Sequence, residues 1–132
     1  MIQVQTILDI NDNTGAQKAR CLKVFNRPIK KIARVGSIIL VSIQKTKNKN
    51  KSKKIYKKEL HKAIVIRIKK KYNRYDGSSM KFNSNSAVLL KKDVHKNFYL
   101  PIGTRIFGPI PNELRNNSKF NFKIISIASK SL

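Results

Sequence analysis

The chain has 132 residues, 40% of them hydrophobic, and carries 30 Lys and Arg against 6 Asp and Glu, a formal net charge of +24. That hydrophobic content is enough for one domain-sized core and argues against wholesale disorder, while the charge opposes compaction by self-repulsion and calls for a polyanionic partner. The single cysteine, Cys21, excludes an internal disulfide and a cysteine-built zinc site.

Taken in chain order, the first segment, IQVQTILDI (2–10), is rich in β-branched residues and predicts a strand. It shows no basic leader and no cleavable apolar block, so no presequence is expected. DNTGA (12–16) follows, with Asn13 and Gly15 suited to a tight or left-handed turn. Asp9 and Asp12 are read as turn or capping residues, because six acids in the whole chain offer no carboxylate cluster for a metal. AQKARCLKVF (16–25) and SIILVSIQ (37–44) predict the next two strands.

Next comes KTKNKNKSKK (45–54), six lysines in ten positions with no acid. Lys45, Lys47, Lys49, Lys51 and Lys53 alternate, so an extended chain would set them on one side at ~6.6 Å spacing, a ladder matched to a phosphate backbone. A charge run of this kind also occurs as solvated chain. The wider segment Lys45–Lys81 holds 15 of the 30 basic residues and only Glu59 and Asp76 as acids, which is the electrostatic footprint of a nucleic-acid binder. Anionic membrane is the rival target, but IILV (38–41) and AIVI (63–66) fall far short of the ~20 apolar residues that cross a bilayer.

KAIVIRIKKK (62–71) alternates, placing Ile64, Ile66 and Ile68 on one face and Val65, Arg67 and Lys69 on the other. The turn signal Asp76-Gly77-Ser78 then predicts a hairpin from 62 to about 90, with basic residues at its tip and strands in SMKF and SAVLL (79–90). Tyr72 and Tyr75 in KKKYNRY either stack on bases between cations or pack on the hairpin. Gly103, Gly108, Pro109 and Pro111 predict an irregular segment that presents Arg105. PNELRNN (111–117) reads as a helix of two turns at most, and FNFKIISIA (120–128) as a last strand. Many short strands and one short helix predict a mainly β fold, a small antiparallel barrel in one domain, 1–132.

His61 and His95 are the only candidates for acid–base chemistry, and neither motif supplies an orienting carboxylate. An RNA-processing enzyme therefore ranks last, behind a free-standing nucleic-acid chaperone and a structural RNA-binding protein.

DNTGA (12–16), DGSSMKFNSNSAVLL (76–90) and GTRIFGPIPNELR (103–115) occur in an order and spacing that resemble the universal family of large-subunit ribosomal protein fourteen. The resemblance extends from MIQVQT through KAIVIR to KIISIA. It implies a five-stranded antiparallel β-barrel with a projecting β-ribbon and a short C-terminal helical lobe, bound to large-subunit ribosomal RNA, with no catalysis, no cofactor and no metal. It also implies neighbours in ribosomal proteins three and nineteen, small-subunit RNA at an intersubunit bridge, and docking of a ribosome-silencing factor near Thr104, Arg105 and Phe107. The expected RNA contacts are Lys45, Lys47, Lys49, Lys51, Lys53, Lys54, Lys57, Lys58, Lys69, Lys70, Lys71, Arg74, Arg105 and Arg115. A glycine-containing loop usual in the family is replaced by KTKNKNKSKKIYKK, so the segment 45–58 is expected as an insertion-like cationic prong. The richness in Lys and Asn, with 18 isoleucines, resembles proteins of A+T-rich organellar genomes and points to a mitochondrial ribosome, with bacterial cytoplasm or plastid as alternatives.

Overall fold

A computed structural model describes residues 1–25, 32–47, 55–93, 99–117 and 121–132. Among the described residues ten strands run in chain order: β1 (Ile7–Ile10), β2 (Ala16–Val24), β3 (Ile38–Thr46), β4 (Leu60–Arg67), β5 (Tyr72–Asn73), β6 (Ser79–Met80), β7 (Ser86–Lys92), β8 (Tyr99–Pro101), β9 (Ile106–Ile110) and β10 (Ala128–Ser131). A 3₁₀ helix (Asn112–Asn117) and α1 (Asn121–Ile127) lie between β9 and β10.

Strands β1, β2, β3, β4 and β7 pair in that order, and β1 returns to β7 to close a five-stranded barrel. Every pairing around the ring is antiparallel except the closing one, where Asp9 meets Ser86 and Ile10 meets Ala87 in parallel. Closure leaves none of the five strands with a free edge inside the ring, which is how a small sheet avoids edge-to-edge association. β8 pairs antiparallel with the last residues of β7, beyond its pairing with β1, and β5 with β6 forms the short ribbon at the tip of the β4–β7 hairpin. The expected mainly β barrel, ribbon and short helical lobe are all present.

The barrel interior is filled by Leu8, Ile10, Ala19, Cys21, Ile39, Val41, Ile43, Val65 and Leu89 with other small side chains. On β2 the inward positions are Ala16, Ala19, Cys21 and Val24, a spacing that departs from strict alternation because the β2–β3 register shifts at three places. Bulges of this kind bend and coil a strand so that it can wrap a narrow barrel. The thiol is buried there, and burial pushes Cys21 up from the ordinary thiol pKa.

A second core lies outside the ring, where Ile64, Ile66, Val88 and Leu90 meet Ile106, Ile110, Leu114 and Ile124. β4 and β7 are therefore buried on both faces, which corrects the expectation that β4 shows charge on one side. Val65 points into the barrel opposite Ile64 and Ile66, and Ile68 changes sides to join Val65 because the β4–β7 register shifts between Val65 and Arg67. Near-continuous apolar runs such as AIVI are the sequence mark of strands covered twice.

Two further expectations are corrected. The segment 2–10 is not one strand: Ile2 forms an isolated bridge with Ala33, the chain turns through Gln5 at φ 73°, and β1 begins at Ile7. The Thr6 hydroxyl accepts the Gln3 N–H at 3.1 Å and stabilises this turn. Within FNFKIISIA the described residues Asn121–Ile127 are helical, and only then does the chain become a strand, pairing β10 in parallel with β9. Its isoleucines favour a strand locally, but in the helix Ile124 is fully buried against the second core and Ile125 and Ile127 pack beside it. Burying such a side chain is worth roughly 1.5–3 kcal/mol, more than the few tenths of propensity it overrides.

Candidate nucleic-acid interface

The two motifs DNTGA and GTRIFGP, 91 residues apart, meet at one end of the barrel. The first is anchored by Asp12, which is almost fully buried. Its Oδ1 accepts the Thr14 N–H at 3.0 Å and the Thr14 hydroxyl, and its Oδ2 accepts the Leu89 N–H at 3.1 Å from β7. Burial pushes the carboxyl above the usual Asp range, against the opposing pull of the Thr14 hydroxyl and the two N–H donors.

Asn13 then binds the second motif with its whole amide. Its Oδ1 accepts the Thr104 N–H at 2.8 Å and the Arg105 N–H at 3.3 Å, while its Nδ2 donates to the Thr104 hydroxyl at 2.7 Å. This contact needs Gly103: a Cβ there would lie 2.7 Å from Asn13 Oδ1 and 3.0 Å from Asp12 Cβ. The chain continues along the barrel through the Phe107 N–H, which donates to the Asn11 carbonyl at 3.0 Å.

Arg67, from the end of β4, holds the far side. Its Nη2 donates to the Phe107 carbonyl at 2.8 Å. Gly108, at φ 80°, is the residue that permits this, since a Cβ would stand 2.7 Å from Arg67 Nη1. Desolvation lowers the guanidinium pKa, offset in part by the nearby Asp9 carboxylate.

With the backbone so held, Thr104, Arg105 and Phe107 project into solvent, and Lys47 joins them: its N–H donates to the Gly15 carbonyl at 2.7 Å, and its Nζ lies 5.8 Å from the Phe107 ring centroid. The sequence-predicted residues Lys47, Thr104, Arg105 and Phe107 thus share one exposed face. Lys45 is exposed one strand turn away, opposite Lys18 on β2. Lys57 and Lys58 are exposed before β4, and Lys69, Lys70 and Lys71 at the base of the ribbon. Arg115 is exposed on the 3₁₀ helix. Lys49, Lys51, Lys53 and Lys54, most of the predicted ladder, lie outside the described residues, as does His95.

Arg74 is placed differently from the other predicted cations. Its guanidinium forms an ion pair with Glu113 and donates to the Leu132 carbonyl at 2.8 Å, so it ties the ribbon to the C-terminal lobe. The tyrosine pair divides: the Tyr72 hydroxyl donates to Met80 Sδ at 3.2 Å and the ring packs on the ribbon, whereas Tyr75 is fully exposed at the turn. His61 does have a carboxylate beside it, Glu59 at 3.0 Å, contrary to the sequence expectation. Glu59 also accepts the Tyr56 N–H at 3.0 Å, and no nucleophile or third polar group completes a catalytic arrangement with the pair among the hydrogen bonds of the described residues. Nor, among those residues, do three His, Cys, Asp or Glu side chains gather as a metal site.

Sequence reasoning gave Asn13 only a turn and overlooked Arg67 as a structural cation. The available signal was chemical: an Asn, unlike an Asp, both donates and accepts, so it can seize a neighbouring Thr and backbone together.

A strongly basic closed barrel with exposed cations on its loops defines a protein of the class that meets a polyanion. The chain belongs to the family described as ribosomal protein L14p/L23e, whose model matches residues 1–132. Members are non-enzymatic structural proteins of the large ribosomal subunit, working among ribosomal RNA and other ribosomal proteins.

Proposed function

We propose that the protein binds large-subunit ribosomal RNA through cations spread on several sides of the barrel and uses the Thr104–Phe107 face at the interface between subunits. The observation that supports this reading most directly is the clamp by which Asn13 leaves Thr104 and Arg105 outward while satisfying their backbone N–H groups. Arg105 and Lys47 are then free to meet phosphates, and Phe107 offers an apolar contact between them. Lys45, Lys57, Lys58, Lys69, Lys70, Lys71 and Arg115 serve as positioning contacts to the RNA backbone, and the lysines at 49–54 extend the same role along a prong. Arg74 acts indirectly, fixing the ribbon that carries Lys69 to Lys71.

The Thr104–Phe107 face would meet small-subunit RNA at a bridge or a ribosome-silencing factor, with ribosomal proteins three and nineteen as neighbours. We place the ribosome in a mitochondrion on the Lys-, Asn- and Ile-rich composition. Sedimentation of the tagged protein through a density gradient tests the core of the reading. Co-migration with large subunits at low salt is the expected outcome, and migration as free protein while other subunit proteins stay bound rejects it. Release at moderate salt would favour a transient chaperone instead.

A further inference from the structure

The motif face leaves another exposed feature unused, a cleft of about 640 Å³ between β4, β7 and β8. Its floor is apolar, made by Leu60, Leu90 and Ile102, and its rim carries Lys62, Lys91, Lys92 and Tyr99. Leu60 is 59% exposed although it begins a strand that is buried on both faces from Ala63 to Ile66. Lys62 Nζ lies 4.4 Å from the Tyr99 ring centroid and 5.1 Å from that of Phe25, and it donates to the Tyr99 hydroxyl. No carboxylate of the described residues stands within ion-pair distance of Lys62, Lys91 or Lys92.

We propose that this cleft receives one unpaired nucleotide of an RNA strand, with the base against Leu60 and Tyr99 and the flanking phosphates on Lys62, Lys91 and Lys92. The proposal rests on the RNA-binding role above and names a distinct site for it.

Chemistry and size both point to this occupant. A nucleotide is flat and apolar on its faces and anionic at its links, which matches an apolar floor under a cationic rim. The volume lies in the range of small-ligand pockets, so a single base fits while a stacked helix does not. The polar rim side chains are donors: three ammonium groups, and a phenol whose oxygen already accepts from Lys62 and whose O–H remains to give. Phosphate oxygens and ring nitrogens need donors. An acidic peptide would satisfy the lysines too, but its backbone N–H groups would meet few acceptors here, the second ring nitrogen of His61, whose Nε2 is bonded to Glu59, and the Tyr99 oxygen. The bond from Lys62 also holds the Tyr99 phenol below its ordinary pKa, making the remaining O–H a stronger donor.

The test uses the full chain and two RNA hairpins that are identical except that one carries a single bulged 2-aminopurine. Wild type should bind the bulged hairpin about tenfold more tightly and quench its fluorescence, the size expected for one stacked base. Leu60→Ser, at an exposed position, should reduce the preference to under about twofold while affinity for the paired hairpin stays unchanged, and Tyr99→Leu should weaken the quenching. Equal affinity of wild type for the two hairpins, or a preference that survives Leu60→Ser, overturns the cleft assignment and leaves general RNA binding standing. Failure to bind either hairpin would instead defeat the RNA-binding role itself. A Glu-rich, Phe-containing peptide that binds more tightly than the bulged hairpin, and loses affinity in Leu60→Ser, would identify a protein occupant and overturn the proposal.

Discussion

The barrel and the ribbon at the tip of the β4–β7 hairpin hold their cations in opposite ways. On the barrel, a neutral amide, Asn13, and a half-buried guanidinium, Arg67, take up the backbone of residues 104–107 and leave Arg105 outward. On the ribbon, Arg74 is itself the fastener, spent on Glu113 and the Leu132 carbonyl. The difference shows that in a chain with five basic residues for each acid, charge count does not measure contact surface. What matters is where the few acids sit: each one that pairs removes a cation from the outside and converts it into structure.

The comparison can be broken most forcefully at Gly103. Ala there would bring a methyl within 2.7 Å of Asn13 Oδ1 and 3.0 Å of Asp12 Cβ. Relief requires the Asn13 amide to withdraw from Thr104 and Arg105, and overpacking of this kind typically costs about 1–3 kcal/mol. Urea unfolding of Gly103→Ala should show that loss, together with weaker binding of large-subunit RNA. Wild-type stability would mean that the clamp does not govern the face.

On the ribbon, Arg74→Met keeps much of the side-chain volume but leaves Glu113 without its partner. Both groups are partly screened by water, so the expected loss is about 1–2 kcal/mol, below that of a fully buried pair. RNA affinity should fall less than stability does, and by a change confined to the ribbon. A loss of RNA affinity as large as that of Arg105→Gln, with stability unchanged, would make Arg74 a direct contact after all.

Much of the fold was legible in the sequence because its strands are short, β-branched and bounded by Asn, Asp and Gly. Alternation failed where the barrel bends or where a second layer covers it. Ile68 changes sides at a bulge, and Ile64 and Ile66 face a lobe that lies more than forty residues further along. α1 was illegible for the same reason, since the burial of Ile124 that stabilises it exists only after β9 and the 3₁₀ helix are in place. For the site, Thr104, Arg105 and Phe107 could be named from their motif and Lys47 from its neighbours in the lysine run. The sharing of one face by these two sets rests on Asn13 and on the Gly15 carbonyl, contacts between distant segments that no local pattern encodes.

A subtler distinction concerns Asp12, beneath the clamp. Its folded pKa is raised by burial, so the native state binds a proton more tightly than the unfolded chain does. Stability contributed by this group therefore increases as pH falls from the raised value toward the ordinary Asp value of about 3.9, and is lost as pH rises again. Asp12→Asn cannot titrate. The stability difference, wild type minus variant, should shrink as pH rises through that window in paired urea titrations. A difference that grows with pH would mean that the hydrogen bonds from Thr14 and Leu89 outweigh desolvation.

The smallest expected effect separates cations that contact RNA from those that only hold the fold. Lys47 is exposed, and its side chain lies near the Phe107 ring, so Lys47→Gln should leave the unfolding free energy within about 0.5 kcal/mol of wild type. If its ammonium neutralises a phosphate, the slope of log affinity against log salt should still decrease in magnitude by roughly one. Arg105→Gln should behave in the same way, because its N–H bond to Asn13 comes from the backbone and survives the substitution. Arg67→Gln should show the reverse pattern: its Nη2 supports the Phe107 carbonyl from within, so stability falls and the salt slope stays near its wild-type value. An unchanged slope in Lys47→Gln would return that lysine to the solvated surface, and a changed slope in Arg67→Gln would show that a guanidinium committed to the fold can still count a phosphate.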